Sequence, residues 1–292
     1  LAWRVHPDFP LVFAGNRDEA YERPSSAAAF WTDDPQVFGG RDLEKGGTWL
    51  GLTRTGRFAA VTNYRDSHAA KSGTRSRGEL TANYLRGNIE PREYLKTVVT
   101  RAAEFNGFTL LVGNPERMYC ASNRGALRTE EVTPGVHGLS NHLLDTPWPK
   151  VKRGKERMSA LMKADEAGLV QGLFEALADR TVAHDAELPD TGAGLQRERE
   201  LSCAFIAGER YGTRASTVLL VNRDGEVLCV ERRYGAGGVP LGEETRRFPL
   251  YMRASGRHPN AADHARGTLG LRLVARERAL RFASDAVKHE KA

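Results

Sequence analysis

The stretch LVFAGNRDE, residues 11–19, joins five apolar or small residues directly to four polar ones. The first five residues predict a short core strand, in which Gly15 allows another segment to approach closely. A core strand ends at the rim of its sheet, where binding and catalytic groups are usually presented. Arg17 offers a planar fork for a carboxylate, and Asp18 and Glu19 can hold that fork or an amine. Taken alone, the tetrapeptide at 16–19 could equally be a turn whose charged side chains pair with one another.

Polar groups stand at strand ends in three other places. Asn63 and Asn141 each follow an apolar stretch, and Arg214 comes just before another. An Asn amide can donate to a developing oxyanion, although each Asn can equally cap a turn. We expect these three residues and Asp18 to converge on one pocket.

The rest of the chain predicts hairpins and paired helices. Asp224-Gly225 is the strongest hairpin signal, and Ser76 with Glu79 reads as a helix capping box. Strands are predicted at residues 2–5, 11–14, 49–52, 58–61, 108–112, 118–122, 136–140, 204–207, 216–222, 226–231 and 246–251. Helices are predicted at residues 76–86, 91–103, 146–163 and 169–178, with an exposed loop at 184–200. Frequent hairpins and helices in consecutive pairs indicate an α+β fold of two stacked antiparallel sheets between helix layers.

Composition excludes several classes of protein. Hydrophobic residues make up 40% of the chain and charged residues 27%, as in globular domains. Every apolar run is far shorter than the roughly 20 residues of a membrane helix, and we predict a cytoplasmic protein without a transmembrane segment. Cys120, Cys203 and Cys229 lie in apolar runs without metal-site spacing, so we interpret them as reduced thiols packed in strands and predict no metal site.

The basic charge is concentrated at the C-terminal end. Residues 252–292 carry nine Lys or Arg and four Asp or Glu, so this tail accounts for +5 of the net charge of +6. The near-neutral body therefore predicts no dedicated nucleic-acid surface. We place a domain boundary after Tyr251 and predict a flexible or partly helical tail, either solvated or in weak contact with acidic partners.

The NRDE tetrapeptide, followed by Tyr21 and Arg23-Pro24, resembles the signature of the NRDE family, the family of Transport and Golgi organization protein 2. Further matching segments follow in family order over residues 1–248. They are GGTWLG at 46–51, AVTNY at 60–64, RGEL at 77–80, NGF at 106–108, GLSN at 138–141, TPW at 146–148 and YGTR at 211–214.

The resemblance implies the four-layer αββα sandwich of the N-terminal-nucleophile hydrolases. A weaker similarity links the family to choloylglycine hydrolases, in which a first-residue Cys works beside an Arg, an Asp, two Asn and a second Arg. On that analogy Asp18 or Glu19 orients the amine of the nucleophile, and Arg214 stabilises charge. Asn63 and Asn141 are then oxyanion donors or amine partners. The candidate pocket also includes three ligand-contacting residues besides Arg17, which are Asn16, Trp49 and Tyr64.

The start of the chain departs from the family pattern. Family members begin Met-Cys, whereas this sequence begins Leu1-Ala2-Trp3, already inside the first strand. An N-terminal nucleophile uses its own α-amine as the base, so an internal thiol cannot replace it. Either residues are missing upstream, which we favour, or the chain is inert as a hydrolase.

Three functions follow from these observations. The first function is small-ligand handling. The family resemblance implies that this means haem trafficking or lipid or acyl-CoA homeostasis. His6, His68, His137 and His142 are candidate iron ligands, although a lone His is more often an ordinary polar residue. Haem held through its propionates by Arg17 or Arg214 is the alternative form. The second function is an N-terminal-cysteine amidohydrolase, and the third is interaction through the basic tail. The sequence names neither the ligand nor the oligomeric state.

Overall fold

A computed structural model of the chain describes residues 1–69, 73–125 and 129–251, so the predicted tail at 252–292 lies outside the described residues. Two antiparallel sheets and five α-helices make up this part. The strands are β1 Ala2–Trp3, β2 Leu11–Ala20, β3 Ser25–Phe30, β4 Val37–Asp42, β5 Leu50–Thr53, β6 Phe58–Asn63, β7 Phe108–Gly113, β8 Met118–Ser122, β9 Thr129–Glu131, β10 Gly135–Val136, β11 Tyr211–Val221, β12 Glu226–Tyr234 and β13 Pro240–Pro249. The helices are α1 Arg77–Arg86, α2 Pro91–Thr100, α3 Pro149–Ala160, α4 Glu166–Leu177 and α5 Leu195–Leu201.

The two sheets have different topologies. The first sheet has the strand order β10-β1-β2-β11-β12-β13, so β2 lies near its centre. The second sheet follows the chain from β3 to β9 as a continuous meander. Sequential hairpins explain the meander, because antiparallel strands can be joined by short turns.

Three apolar cores define four layers. Phe13 and Leu219 of the first sheet pack against Phe58 and Leu111 of the second in a core between the sheets. Separate cores join the second sheet to α1 and α2 and the first sheet to α3 and α4. The predicted αββα sandwich is therefore confirmed.

Alternation along β2 determines which residues face the second sheet. Leu11 and Phe13 belong to the core between the sheets, whereas Val12 belongs to the core under α3 and α4. Side chains two residues apart share a face of a strand. Arg17 and Glu19 consequently extend the inner face of the first sheet, toward the second sheet, beyond its apolar part.

Several predicted elements were wrong. Residues 204–207 form only one isolated bridge, between Ala207 and Gly212, and the predicted loop at 184–200 contains a short 3-10 helix, Asp185–Glu187, and most of α5. The predicted strand at 136–140 ends at Val136, and Cys203 lies outside any strand although all three cysteines are free and buried.

Strands β3 and β4 were missed. Their sequences, SSAAAF and VFGGRD, are rich in small residues, so neither shows the alternation that marks a half-buried strand. Gly39 has no room for a Cβ, which would lie 2.5 Å from the carbonyl oxygen of Leu50. The glycine that weakened the strand signal therefore permits the close packing of β4 against β5.

Two helix starts differ from the prediction. The Ser76 side chain makes no capping hydrogen bond, and Glu79 instead pairs with Arg75. Helix α3 begins at Pro149, because the hydroxyl of Thr146 is engaged with His142 and with the Leu143 carbonyl. Among the described residues, no helix has the length and apolar character that crossing a membrane requires.

Candidate functional site

A cavity of about 560 Å³ lies at the polar end of β2. Its wall includes every residue predicted for the catalytic set, together with Trp49 and Asn16. These residues are Arg17, Asp18, Glu19, Asn63, Asn141 and Arg214. The structure thus brings together side chains from distant parts of the chain, while their chemical roles stay predictions.

Arg17 and Glu19 form the inner part of the NRDE stretch. Their side chains are 15% and 32% exposed, and the Arg17 Nη2 atom lies 3.8 Å from Glu19 Oε2. Burial lowers the pKa of Arg17, while Glu19 opposes this effect. Arg17 makes no hydrogen bond through its side chain within the described part of the chain.

Asp18 points to the opposite face, as strand alternation requires. Its Oδ1 atom accepts a hydrogen bond of 2.7 Å from the Thr213 hydroxyl. Burial raises the pKa of Asp18, and the nearby Lys150 lowers it. The two acids proposed as alternatives are therefore separated by the sheet, and only Glu19 shares a face with Arg17.

Arg214 is the extra residue of a β-bulge. Thr213 pairs with Asp18 and Ala215 pairs with Arg17, so Arg214 has no opposite residue on β2. A bulge redirects its side chain. Arg214 Nη1 donates to the carbonyl oxygens of Ala20, at 3.1 Å, and Arg23. Arg214 Nη1 thus holds the chain that follows β2, and the other guanidinium nitrogens make no hydrogen bond within the described residues.

The two predicted oxyanion donors are neighbours. Asn141 Nδ2 donates to the Asn63 carbonyl oxygen at 3.3 Å, and the Arg65 amide donates to the Asn141 carbonyl oxygen at 2.7 Å. Asn141 has a φ of 50°, a left-handed conformation that Asn tolerates better than most residues. This local strain turns the loop after β10 toward β6.

Two predicted ligand contacts are engaged elsewhere. Asn16 donates to the carbonyl oxygens of Leu177 and Ala204, at 2.9 and 2.7 Å, and accepts from the Ser216 hydroxyl at 2.7 Å. Asn16 is thus a structural link between β2 and α4. Tyr64 is not in the cavity wall, because its hydroxyl bonds to His142 Nε2 at 2.5 Å. Both side chains therefore have protein partners, and their contact with a ligand stays a prediction.

The candidate iron ligands do not form a group. His6 and His142 each use both ring nitrogens within the protein, and so does His137, which contacts Asp145 and the Thr133 carbonyl oxygen. His68 is exposed, outside the cavity wall. The described residues hold no cluster of three or more His, Cys, Asp or Glu side chains that suits a metal ion.

Sequence reasoning missed the cationic excess of the cavity. Its wall contains ten Lys or Arg residues and four Asp or Glu residues. Lys150, Arg77 and Arg233 are among the cations that sequence analysis did not single out, and Glu231 is among the acids. The predicted strand at 226–231 ends before Arg233, and the available signal was the continued alternation from Glu231 to Arg233.

Comparisons with known proteins show which family the chain belongs to. The sequence model described as Transport and Golgi organisation 2 matches residues 1–236. The chain is 36% identical over 241 residues to the Transport and Golgi organization protein 2 homolog of Homo sapiens, a match that covers 77% of this chain and 86% of that protein. It is 34% identical over 239 residues to the Mus musculus homolog, with the same coverage.

A solved structure of a variant of conjugated bile acid hydrolase from Clostridium perfringens aligns with a TM-score of 0.42 and 9% identity, covering 85% of this chain and 96% of that one. Because the family model spans most of the chain and both homologs exceed 30% identity, this protein belongs to the Transport and Golgi organisation 2 family.

Proposed function

We propose that the protein handles a small amphipathic anion, and that its cavity binds the negative group of that ligand beside Arg17. The observation that carries this proposal is the state of Arg17, whose side chain is 15% exposed and whose guanidinium has one ion-pair contact at 3.8 Å and no hydrogen bond among the described residues. A buried charge normally requires hydrogen-bonding partners. A ligand carboxylate or phosphate supplies them in the planar geometry that arginine prefers.

The apolar part of the wall supports an amphipathic ligand rather than a free inorganic ion. Trp49 and Leu139 pack against the core between the sheets, on the same face as Arg17, whereas Met158, Leu173 and Leu177 belong to α3 and α4 on the opposite face of the first sheet. The volume of about 560 Å³ falls in the range of roughly 300–1,000 Å³ that is usual for small-molecule sites. Haem and long-chain acyl compounds both combine such an apolar body with anionic groups.

Haem would contact this cavity through its propionates. Three of the four candidate histidines have no free ring nitrogen, so the arrangement favours the Arg17 and Arg214 contacts over iron ligation by histidine. We therefore propose haem trafficking or acyl-CoA homeostasis in the cytoplasm, without a dedicated nucleic-acid surface, as the finer function.

Haemin and palmitoyl-CoA are the probes for this proposal. We expect haemin to shift its Soret band, or palmitoyl-CoA to give a calorimetric signal, at micromolar protein. Replacement of Arg17 by Met should weaken binding at least tenfold, because a hydrogen bond to a charged group contributes about 1.5–3 kcal/mol. Arg246→Met, an exposed control outside the cavity wall, should change affinity less than twofold. Absence of binding by both probes would refute the proposal.

An amidohydrolase is the second candidate, and the β1–β2 register favours it. Ala2 lies opposite Val12 and Trp3 opposite Leu11, so a strand continued upstream from Leu1 would run beside Asn16 and Arg17. A cysteine at the start of such a strand would attack an amide carbonyl as a thiolate and release the amine. Water would then hydrolyse the thioester to the acid.

An extended variant tests this candidate. Cys followed by three apolar residues, added before Leu1, would lie opposite Arg17 in the observed register. We expect an acyl adduct on that Cys by mass spectrometry with amide substrates, and none in a matched variant that begins with Ala. No adduct on the Cys variant would eliminate the hydrolase.

A further inference from the structure

Arg233 lies on the same row of the first sheet as Arg17. Ala215 of β11 pairs with Arg17 on one side and with Arg233 on the other. Directly opposed residues of antiparallel strands project from the same face. The two arginines are thus separated by two strand spacings, roughly 9–10 Å between Cα atoms. Only the methyl group of Ala215 stands between them, and all three residues line the cavity.

Neither guanidinium group donates a hydrogen bond within the part of the chain that the structure describes. Within the described residues, Arg233 has neither a hydrogen bond nor an ion pair within 4.0 Å, and its buried Nε atom has no partner. Arg17 has only the contact of 3.8 Å to Glu19. Two like charges that share a row repel each other, and a partly buried donor without an acceptor loses its hydration.

The acid nearest to Arg233 along the sheet already has hydrogen-bonding partners. Glu231 occupies the adjacent row opposite Thr217 and is 5% exposed. Its Oε1 atom accepts from the Ala28 amide at 2.9 Å, where β3 departs from regular pairing, and its Oε2 atom lies 3.4 Å from the Thr217 hydroxyl. Burial raises the pKa of Glu231, while the hydrogen bonds from Ala28 and Thr217 oppose this shift.

We propose that Arg17 and Arg233 bind a single oxyanion of the ligand between them, above Ala215, and that Arg233 is a specificity-determining residue of this site. The inference rests on the proposed function and deepens it, because it assigns the headgroup to one row of the first sheet. Arginine forks match both carboxylates and phosphates. Ala215 belongs to the site because a larger side chain there would occupy the position of the oxyanion.

Three ligands distinguish the source of the oxyanion. Haemin carries carboxylates, haemin dimethyl ester carries none, and palmitoyl-CoA carries phosphates. Arg233→Met should weaken binding of haemin, or of palmitoyl-CoA, at least tenfold, and should leave the dimethyl ester within twofold. Arg233→Lys keeps the charge without the fork and should lose less. Ala215→Leu should weaken the same ligand without changing any charge.

Arg232 provides the matched control. It precedes Arg233 on β12, faces the other side of the sheet over the Phe174 ring, and pairs with Glu243 at 2.7 Å. Arg232→Met should retain the affinity of the unmodified protein within twofold. Circular dichroism checks that each variant is folded, and Arg233→Met should melt at the same temperature or higher, because it relieves repulsion.

The outcomes separate the two proposals. If the unmodified protein binds haemin or palmitoyl-CoA and Arg233→Met binds it equally well, the two-arginine site is wrong while the proposed function stands. The site is also overturned if Arg233→Met loses as much affinity for haemin dimethyl ester as for haemin and keeps its affinity for palmitoyl-CoA. Such a result would show a structural effect rather than the loss of a contact with an oxyanion. If the unmodified protein binds neither haemin nor palmitoyl-CoA, the proposed function fails and the site fails with it.

Discussion

Replacing Glu198 by alanine should lower the free energy of unfolding by about 3–5 kcal/mol, the usual cost of removing one partner from a buried ion pair. Glu198 is 3% exposed, and its Oε2 atom lies 3.2 Å from Nη2 of Arg65, whose side chain is 12% exposed. Its Oε1 atom accepts hydrogen bonds from the amide and hydroxyl of Thr191, at 3.0 and 2.5 Å. The substitution removes these contacts and leaves the Arg65 charge buried over the Trp148 ring.

Urea denaturation followed by fluorescence measures this effect. Glu200→Ala is the control, because Glu200 lies on the same helix, is 45% exposed and pairs only with surface side chains, so it should cost less than about 1 kcal/mol. The double variant Glu198→Ala/Arg65→Met should be more stable than Glu198→Ala, since it removes the uncompensated charge. A loss below 1 kcal/mol for Glu198→Ala would show that solvent reaches the Arg65 charge.

Replacing Lys150 by methionine should remove a rise in stability that we expect between about pH 8 and pH 10.5. Burial lowers the pKa of Lys150 from 10.5 to about 8, although Asp18 opposes the shift. The ammonium group donates to the carbonyl oxygens of Leu201 and Cys203, at 2.9 and 3.4 Å.

The direction follows from proton binding. Between pH 8 and pH 10.5 the unfolded chain holds the Lys150 proton and the folded protein does not, so this group makes stability increase with pH. At 1.36 kcal/mol per pKa unit, the shifted pKa of Lys150 lowers the free energy of unfolding by about 3 kcal/mol. This loss is fully present below pH 8, where the folded and unfolded chains both hold the proton. Unfolding free energies at several pH values, compared between the unmodified protein and Lys150→Met, isolate the contribution. Identical pH profiles for the two proteins would show that the amine keeps its usual pKa.

Local sequence signals predicted the elements with strong patterns. Asp224-Gly225 closes the β11–β12 hairpin, and Pro91 stands at the first turn of α2, both as expected. The αββα layering also followed from the sequence, since hairpins and paired helices leave few ways to cover two apolar sheet faces. Local signals did not predict β3 and β4, because their small residues show no alternation. They also did not predict α5, because its one buried residue, Glu198, is a charged residue among other charged residues.

The candidate site was predictable as a set of residues but not as a geometry. Of the predicted strand ends, only Asn63 ends a strand, whereas Arg17 and Arg214 lie inside β2 and β11 and Asn141 lies outside any strand. Residue type and position were enough to select Arg17, Asn63, Asn141 and Arg214, all of which line the cavity. The engagement of Asn16 with α4 was not predictable, because its partners are backbone carbonyls 161 and 188 residues away in the chain.

The sequence by itself determined the family, the two-sheet fold and the polar end of β2, because these depend on residue order and short-range periodicity. Only the tertiary structure decided that β2 continues through Asp18 and Glu19, which places them on opposite faces, and that Arg233 joins Arg17 across Ala215. The physical reason is that strand register and a single bulge at Arg214 set which side chains meet. Both depend on pairing between segments about 200 residues apart, for which the chain carries no local signal.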